Sequence, residues 1–109
     1  METPTIKANN KTYKAAKPKA KVWRLLVKFQ DRYGANPNVL QSEEAYNEMM
    51  ELLAKMFNNK DVTVDFIEEH VDFDDIFTLF FKTERWLENE VSQKMAQVGE
   101  GKNAPATDS

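Results

Sequence analysis

The sequence predicts a mainly α-helical protein: a compact four-helix domain with a short N-terminal β-hairpin before it and a disordered tail after it. Three observations predict this class. Apolar residues recur at helical spacing in four successive segments beyond Pro18. Capping or stop residues bound those segments. Glycine and proline number only three and four among 109 residues, too few for the many turns of a β-sandwich. The length allows one domain and one core. With 41% hydrophobic residues and a mean hydropathy of −0.66, that core is modest and lies under a heavily charged surface. The expected organisation is a basic arm or hairpin over 1–16, a helical domain over 17–98 and a tail over 99–109.

Each element has its own local reason. Thr5-Ile6-Lys7 and Lys11-Thr12-Tyr13-Lys14 alternate polar and apolar residues around the turn-prone Ala8-Asn9-Asn10. This pattern reads as a hairpin, or as a disordered arm that forms one on docking. Isolated hairpins are marginal in water, so it should lean on the helices or on another chain. Pro18 suits a helix start. The first helix then runs from about Lys19 to Tyr33, with Val22, Leu25, Leu26, Phe29 and Tyr33 on one face and Gly34 as its stop.

Ala35-Asn36-Pro37-Asn38 reads as a turn, and Ser42 as the N-cap of the second helix, with Glu43 and Glu44 favoured by the helix dipole. The stripe of that helix is Tyr46, Met49, Met50, Leu53, Met56 and Phe57, and Asn58-Asn59-Lys60 ends it. A short third helix spans about Val64 to His70 behind the cap Thr63, with Val62 and Ile67 placed as a hydrophobic staple. Asp72, Asp75, Val71 and Ile76 repeat the device at the start of the fourth helix. That helix is expected from Phe73 to about Gln97, stopped by Gly99, with Phe73, Ile76, Phe77, Phe80, Leu87, Val91 and Met95 facing the core.

Charge is divided along the chain. Residues 1–30 carry eight basic side chains against Glu2 alone, while residues 31–109 carry seven basic and seventeen acidic ones. The mild net charge of −3 conceals this polarity. A chain so divided can attract a second copy head to tail, or can offer a basic arm to an acidic partner.

Chemistry has few candidates. With no cysteine there is no disulfide, thiolate nucleophile or cysteine zinc site. The lone histidine, His70, could be a general base or half a metal site, but it reads more simply as a helix C-terminal histidine favoured by the dipole. Asp65, Glu68, Glu69, Asp72, Asp74 and Asp75 lack the glycine and the alternation of a calcium loop, and read as acidic first turns. Gly34, Gly99 and Gly101 form no phosphate loop. No enzyme and no cofactor is expected.

Met1 to Ala20 is polar and lysine-rich without an apolar signal region, and Ile76 to Phe81 is too short to span a bilayer, so a soluble cytosolic protein is expected and no membrane partner.

Two stretches remain as interaction candidates. The basic arm, Lys7 to Lys28 with Tyr13 and Trp23 among the lysines, could neutralise phosphates and stack bases, and Lys14, Lys17, Lys19 and Trp23 are its candidate partner-binding residues. Three arginines and a pI near 5.2 argue instead for contact with an acidic protein surface. In the aromatic run Phe77-Thr78-Leu79-Phe80-Phe81, Leu79, Phe81 and the following Trp86 lie off the expected core face. Either neighbouring elements cover them or they form a partner patch. Met49, Met50 and Met56 could add an adaptable surface, though core filling is the plainer reading.

Taken in order, "TIKANNKTYKAAKPKAKVWRLL", a short acidic helical middle and "VTVDFIEEHVDFDDIFTLFF" resemble the tail assembly chaperones of long-tailed siphophages. The resemblance covers roughly residues 4–98. It is carried most by Lys11-Thr12-Tyr13-Lys14, by Lys17-Pro18-Lys19-Ala20 and by Thr63-Val64-Asp65-Phe66-Ile67, while residues 73–86 are richer in aromatics than the family's pattern.

The resemblance implies a non-enzymatic protein of the host cytoplasm, absent from the mature virion. It would bind the tape-measure protein, keep it soluble and help recruit tail-tube subunits. Many such proteins are also made as a frameshifted fusion whose extension brings in the tube protein. Gly101-Lys102 is a pair that a slippery run of G then A would encode. The alternative from the residues alone is a small helical nucleic-acid-binding regulator that uses the basic arm.

A chaperone covering many sites on a long helical partner must repeat along it, so self-contact is expected to be heterologous and open-ended. Opposed charge would steer that contact, and its strength should fall as salt rises. Sedimentation across a salt series checks this, and an assembly unchanged from low to high salt would contradict it.

Overall fold

Two strands and four helices follow one another in a computed structural model that describes residues 2–34 and 41–103. The expected turn over Ala35–Asn38 and the tail from residue 104 lie outside the described residues.

The hairpin forms where alternation predicts it. β1 (Thr5–Ala8) pairs antiparallel with β2 (Lys11–Lys14), placing Ile6 opposite Tyr13 and Lys7 opposite Thr12. Asn9 and Asn10 make the two-residue turn with φ of 54° and 62°, the left-handed pair that asparagine tolerates best among non-glycine residues. Ile6 and Tyr13 face inward and are buried, while the lysines face water. The hairpin is not left on its own. The Ala16 N–H donates to the Met56 carbonyl at 3.0 Å, and the Tyr13 ring meets Phe66 edge-on at 5.0 Å.

α1 (Ala20–Tyr33) has no side-chain cap at Lys19 and ends at Gly34, whose φ of 64° suits glycine and whose N–H returns to the Gln30 carbonyl at 2.7 Å. α2 (Glu43–Phe57) starts as expected, with the Ser42 hydroxyl accepting from the Ala45 N–H, and stops at Asn58 in the left-handed region. α3 (Val64–His70) is capped by Thr63, whose hydroxyl accepts from the Phe66 N–H at 3.1 Å. Val62 and Ile67, the expected staple pair, are both buried. α4 (Phe73–Asn103) follows an extended Val71, and the Asp75 and Ile76 N–H groups donate to the Asp72 carbonyl.

α2 is the centre of the fold. It packs against each of the other three helices and buries Ala45, Met49, Met50, Leu52, Leu53, Met56 and Phe57. The three methionines are therefore core filler and not an exposed adaptable surface. Leu26 and Phe29 approach from α1, Ile67 from α3, and Ile76, Phe80 and Leu87 from α4.

α4 departs from expectation in two ways. Its buried face is shifted: Thr83 and Trp86 join the expected Ile76, Phe80 and Leu87 at no more than 4% exposure, whereas Phe73 and Met95, expected in the core, are 66% and 68% exposed. Phe73 and Met95 lie toward the two ends of the helix, and the feature that turns its middle toward Trp86 is the burial of Thr83. Its hydroxyl donates to the Leu79 carbonyl one turn back at 2.7 Å, so a residue that reads as polar is satisfied within the helix and can be buried. The stripe Ile76, Phe80, Thr83, Leu87 then carries Trp86 inward with it.

The helix also does not stop at Gly99 but continues to Asn103. A glycine in a helix interior is disfavoured by only about 1 kcal/mol relative to alanine and does not by itself terminate one.

Leu53, fully buried in α2, should lose about 2–5 kcal/mol of stability on substitution by alanine. Met95→Ala, on the exposed far stretch of α4, should stay within about 0.5 kcal/mol. Urea denaturation of the two variants checks the position of the core.

Candidate partner-binding surfaces

Eight basic side chains precede residue 30, and every one is exposed: Lys7, Lys11 and Lys14 on the hairpin, Lys17 and Lys19 on the link, and Lys21, Arg24 and Lys28 on α1. Among the described residues no ion pair holds any of them; the one ion pair joins Arg32 to Glu48.

Lys17 and Lys19 share an apolar groove. The link Ala16–Lys19, the first turns of α1 and the C-terminal end of α2 enclose a cavity of about 230 Å³. Pro18, Val22, Leu25, Met56 and Leu87 supply its apolar wall, and Lys17, Lys19, Lys21 and Lys55 supply its charge. Among the described residues no carboxylate lines it. Lys55 comes from α2, thirty-four positions after Lys21, and only the packing of α2 beside the link brings it to the rim.

The other residues singled out in the sequence do not converge on this groove. Lys14 is exposed on β2, and Trp23 is half-buried against the core. Leu79 lines a separate shallow depression with Ile6, His70, Val71 and Asp75. Phe81 is 44% exposed, with its ring edge-on to Phe80 at 5.7 Å. Trp86, expected to be off the core face, is buried and unavailable to a partner.

Exposed Phe73 was the signal missed in the sequence. Its ring meets Phe77 edge-on at 5.3 Å, and exposed Asp72, Asp74 and Asp75 flank it. Its place at the first turn of a helix, between acidic caps, could have marked it as an exposed aromatic and not a core one.

Polar contacts between helices brace these surfaces. The Gln30 amide donates to a carboxylate oxygen of both Glu84 and Glu88 at 2.8 Å, tying α1 to α4. Arg32 and the Tyr33 hydroxyl both donate to Glu48, tying α1 to α2, and the bond to Glu48 holds the Tyr33 hydroxyl above its usual range. The Tyr46 hydroxyl donates to Glu68 on α3 at 3.0 Å.

His70 is exposed, stacked on Phe66, with Nδ1 3.0 Å from the Phe66 carbonyl. Among the described residues no group of three His, Asp or Glu side chains is placed to hold a metal ion, and no helix is long and apolar enough to cross a membrane.

Compared with known proteins, the chain matches no family model, no curated protein and no solved structure.

Burial pushes the Glu84 carboxyl up, and the neighbouring Glu88 pushes it further, against the lowering effect of the Gln30 amide. A raised folded-state value means that the folded protein holds the proton more tightly than the unfolded chain. The stability this contributes is fully present below the ordinary carboxylate range and is lost as pH rises through the raised value. At neutral pH the Glu84 charge therefore opposes folding. Glu84→Gln keeps an acceptor for Gln30 and removes the charge. It should stabilise the protein at pH 7 by about 0.5 kcal/mol after solvent screening, and by less at pH 4. Thermal denaturation of both proteins at the two pH values checks the sign.

Proposed function

We propose that this protein is a tail assembly chaperone of a long-tailed siphophage. In this reading it binds the tape-measure protein, keeps that protein soluble and helps recruit tail-tube subunits. It works without catalysis, in the host cytoplasm, and does not remain in the mature virion. The observation that carries the reading is the stretch Lys11–Ala20, which resembles the family's and which leads from the hairpin into the lysine-rimmed groove.

Physical chemistry supports the same role. A tape measure exposes apolar helical stripes over a great length and would aggregate alone. Phe81 and the half-buried Phe77, one turn apart on α4, offer apolar surface to such a helix. The alternative, a nucleic-acid-binding regulator, is favoured by one specific observation: the eight basic side chains of the arm and α1 are all exposed. The acidic body works against it, because it would repel a long duplex.

Co-expression with the tape-measure protein tests the proposal. The tape measure should become soluble only with this chain and should co-purify with it, and Phe81→Ala should lower the yield several-fold. The purified chain should not retard DNA at low salt. An insoluble tape measure with nothing co-purifying, together with retarded DNA, would favour the regulator.

A further inference from the structure

The chain carries two complementary features on surfaces far apart. One is the groove beside the link, with an apolar wall of Pro18, Val22, Leu25 and Met56, four lysines at its rim and, among the described residues, no carboxylate. The other is Phe73, 66% exposed at the first turn of α4 and set among exposed Asp72, Asp74 and Asp75. An aromatic anchor that fills an apolar pocket while charges pair around the edge is the arrangement that concentrates binding energy at protein interfaces.

The sizes agree. A cavity of about 150 Å³ accepts benzene, and the groove offers about 230 Å³. The signs agree as well: three aspartates face four lysines, with Lys7 and Lys82 lying in the depression beside Asp72 and Asp75 and offsetting part of their charge.

Within one molecule the two cannot meet. Leu87, which lines the groove, stands fourteen positions beyond Phe73 on the same helix, about 21 Å at 1.5 Å per residue. We infer that the groove is the docking site for a second copy of this chain, which inserts Phe73 between Lys17, Lys19, Lys21 and Lys55.

Each copy then keeps a free groove at one end and a free Phe73 at the other. The contact is heterologous, and it continues copy by copy unless its rotation closes a ring. Charge steers the encounter, so salt weakens it, while the aromatic anchor fixes which surfaces meet. This inference does not rest on the chaperone reading, because it concerns the purified chain alone.

The test uses two variants at exposed positions. Phe73→Ala removes the anchor, and Lys19→Glu with Lys21→Glu reverses the rim; unchanged circular dichroism and melting show that each still folds. In sedimentation velocity at low salt, the unaltered chain should grow with concentration past the dimer. Each variant alone should associate at least tenfold more weakly.

Mixed in equal amounts, the two variants retain one intact pairing: Phe73 of the rim variant with the groove of the anchor variant. The mixture should therefore form a dimer and stop there. An unaltered chain that stays monomeric, a Phe73→Ala chain that assembles like the unaltered one, an assembly that ends at a two-fold dimer, or a mixture that remains monomeric would each overturn the proposal.

Discussion

Burial of the α2 face is the constraint on which the other elements depend. Met49, Met50, Leu53, Met56 and Phe57 are at most 2% exposed, and no other helix of the fold contributes so many fully buried side chains. α1, α3 and α4 each pack against that face. The hairpin joins the same core through Ile6 and Tyr13, the link after it is tied to α2 by the bond from Ala16 to Met56, and Met56 also belongs to the wall of the groove. A small domain has little apolar area to spare, so one fully covered helix is an efficient way to hold several short elements that would be marginal alone.

Long methionine side chains at three of those positions suit this role. They adapt to contacts from several directions, where branched residues would demand a single packing geometry. Around this core, side-chain polar braces run between helices: Gln30 to Glu84 and Glu88, Tyr33 to Glu48, Tyr46 to Glu68. They set the relative position of surface-lining elements that the apolar core, being non-directional, constrains less sharply.

The split in charge acquires a spatial meaning in the fold. Lys17 and Lys19 of the link and Lys21 of α1 gather with Lys55 around one apolar groove, while aspartates at the start of α4 surround an exposed phenylalanine. The net charge is small, but the molecule presents opposite characters at separated sites. That arrangement favours directional association, since a uniformly charged surface would repel its own copies.

The sequence by itself determined the elements whose signals are local. The alternation about Asn9 and Asn10 specified the hairpin, Ser42 and Thr63 specified two helix starts, and Gly34 and Asn58 specified two stops. Backbone preference and side-chain capping act within a few residues, so they are legible in order along the chain. Only the tertiary structure decided which side of α4 faces inward. Thr83 counts as polar in any pattern, yet its bond to Leu79 lets it be buried beside Trp86, while Phe73, on the first turn of the helix, stays outside. The stretch of α4 beyond Val91 is exposed, with no neighbour among the described residues to impose a face, so Met95 stays in water despite its helical spacing. The groove likewise needed α2 to bring Lys55 beside Lys17 and Lys19. Burial depends on what packs opposite, and that partner lies far away in sequence.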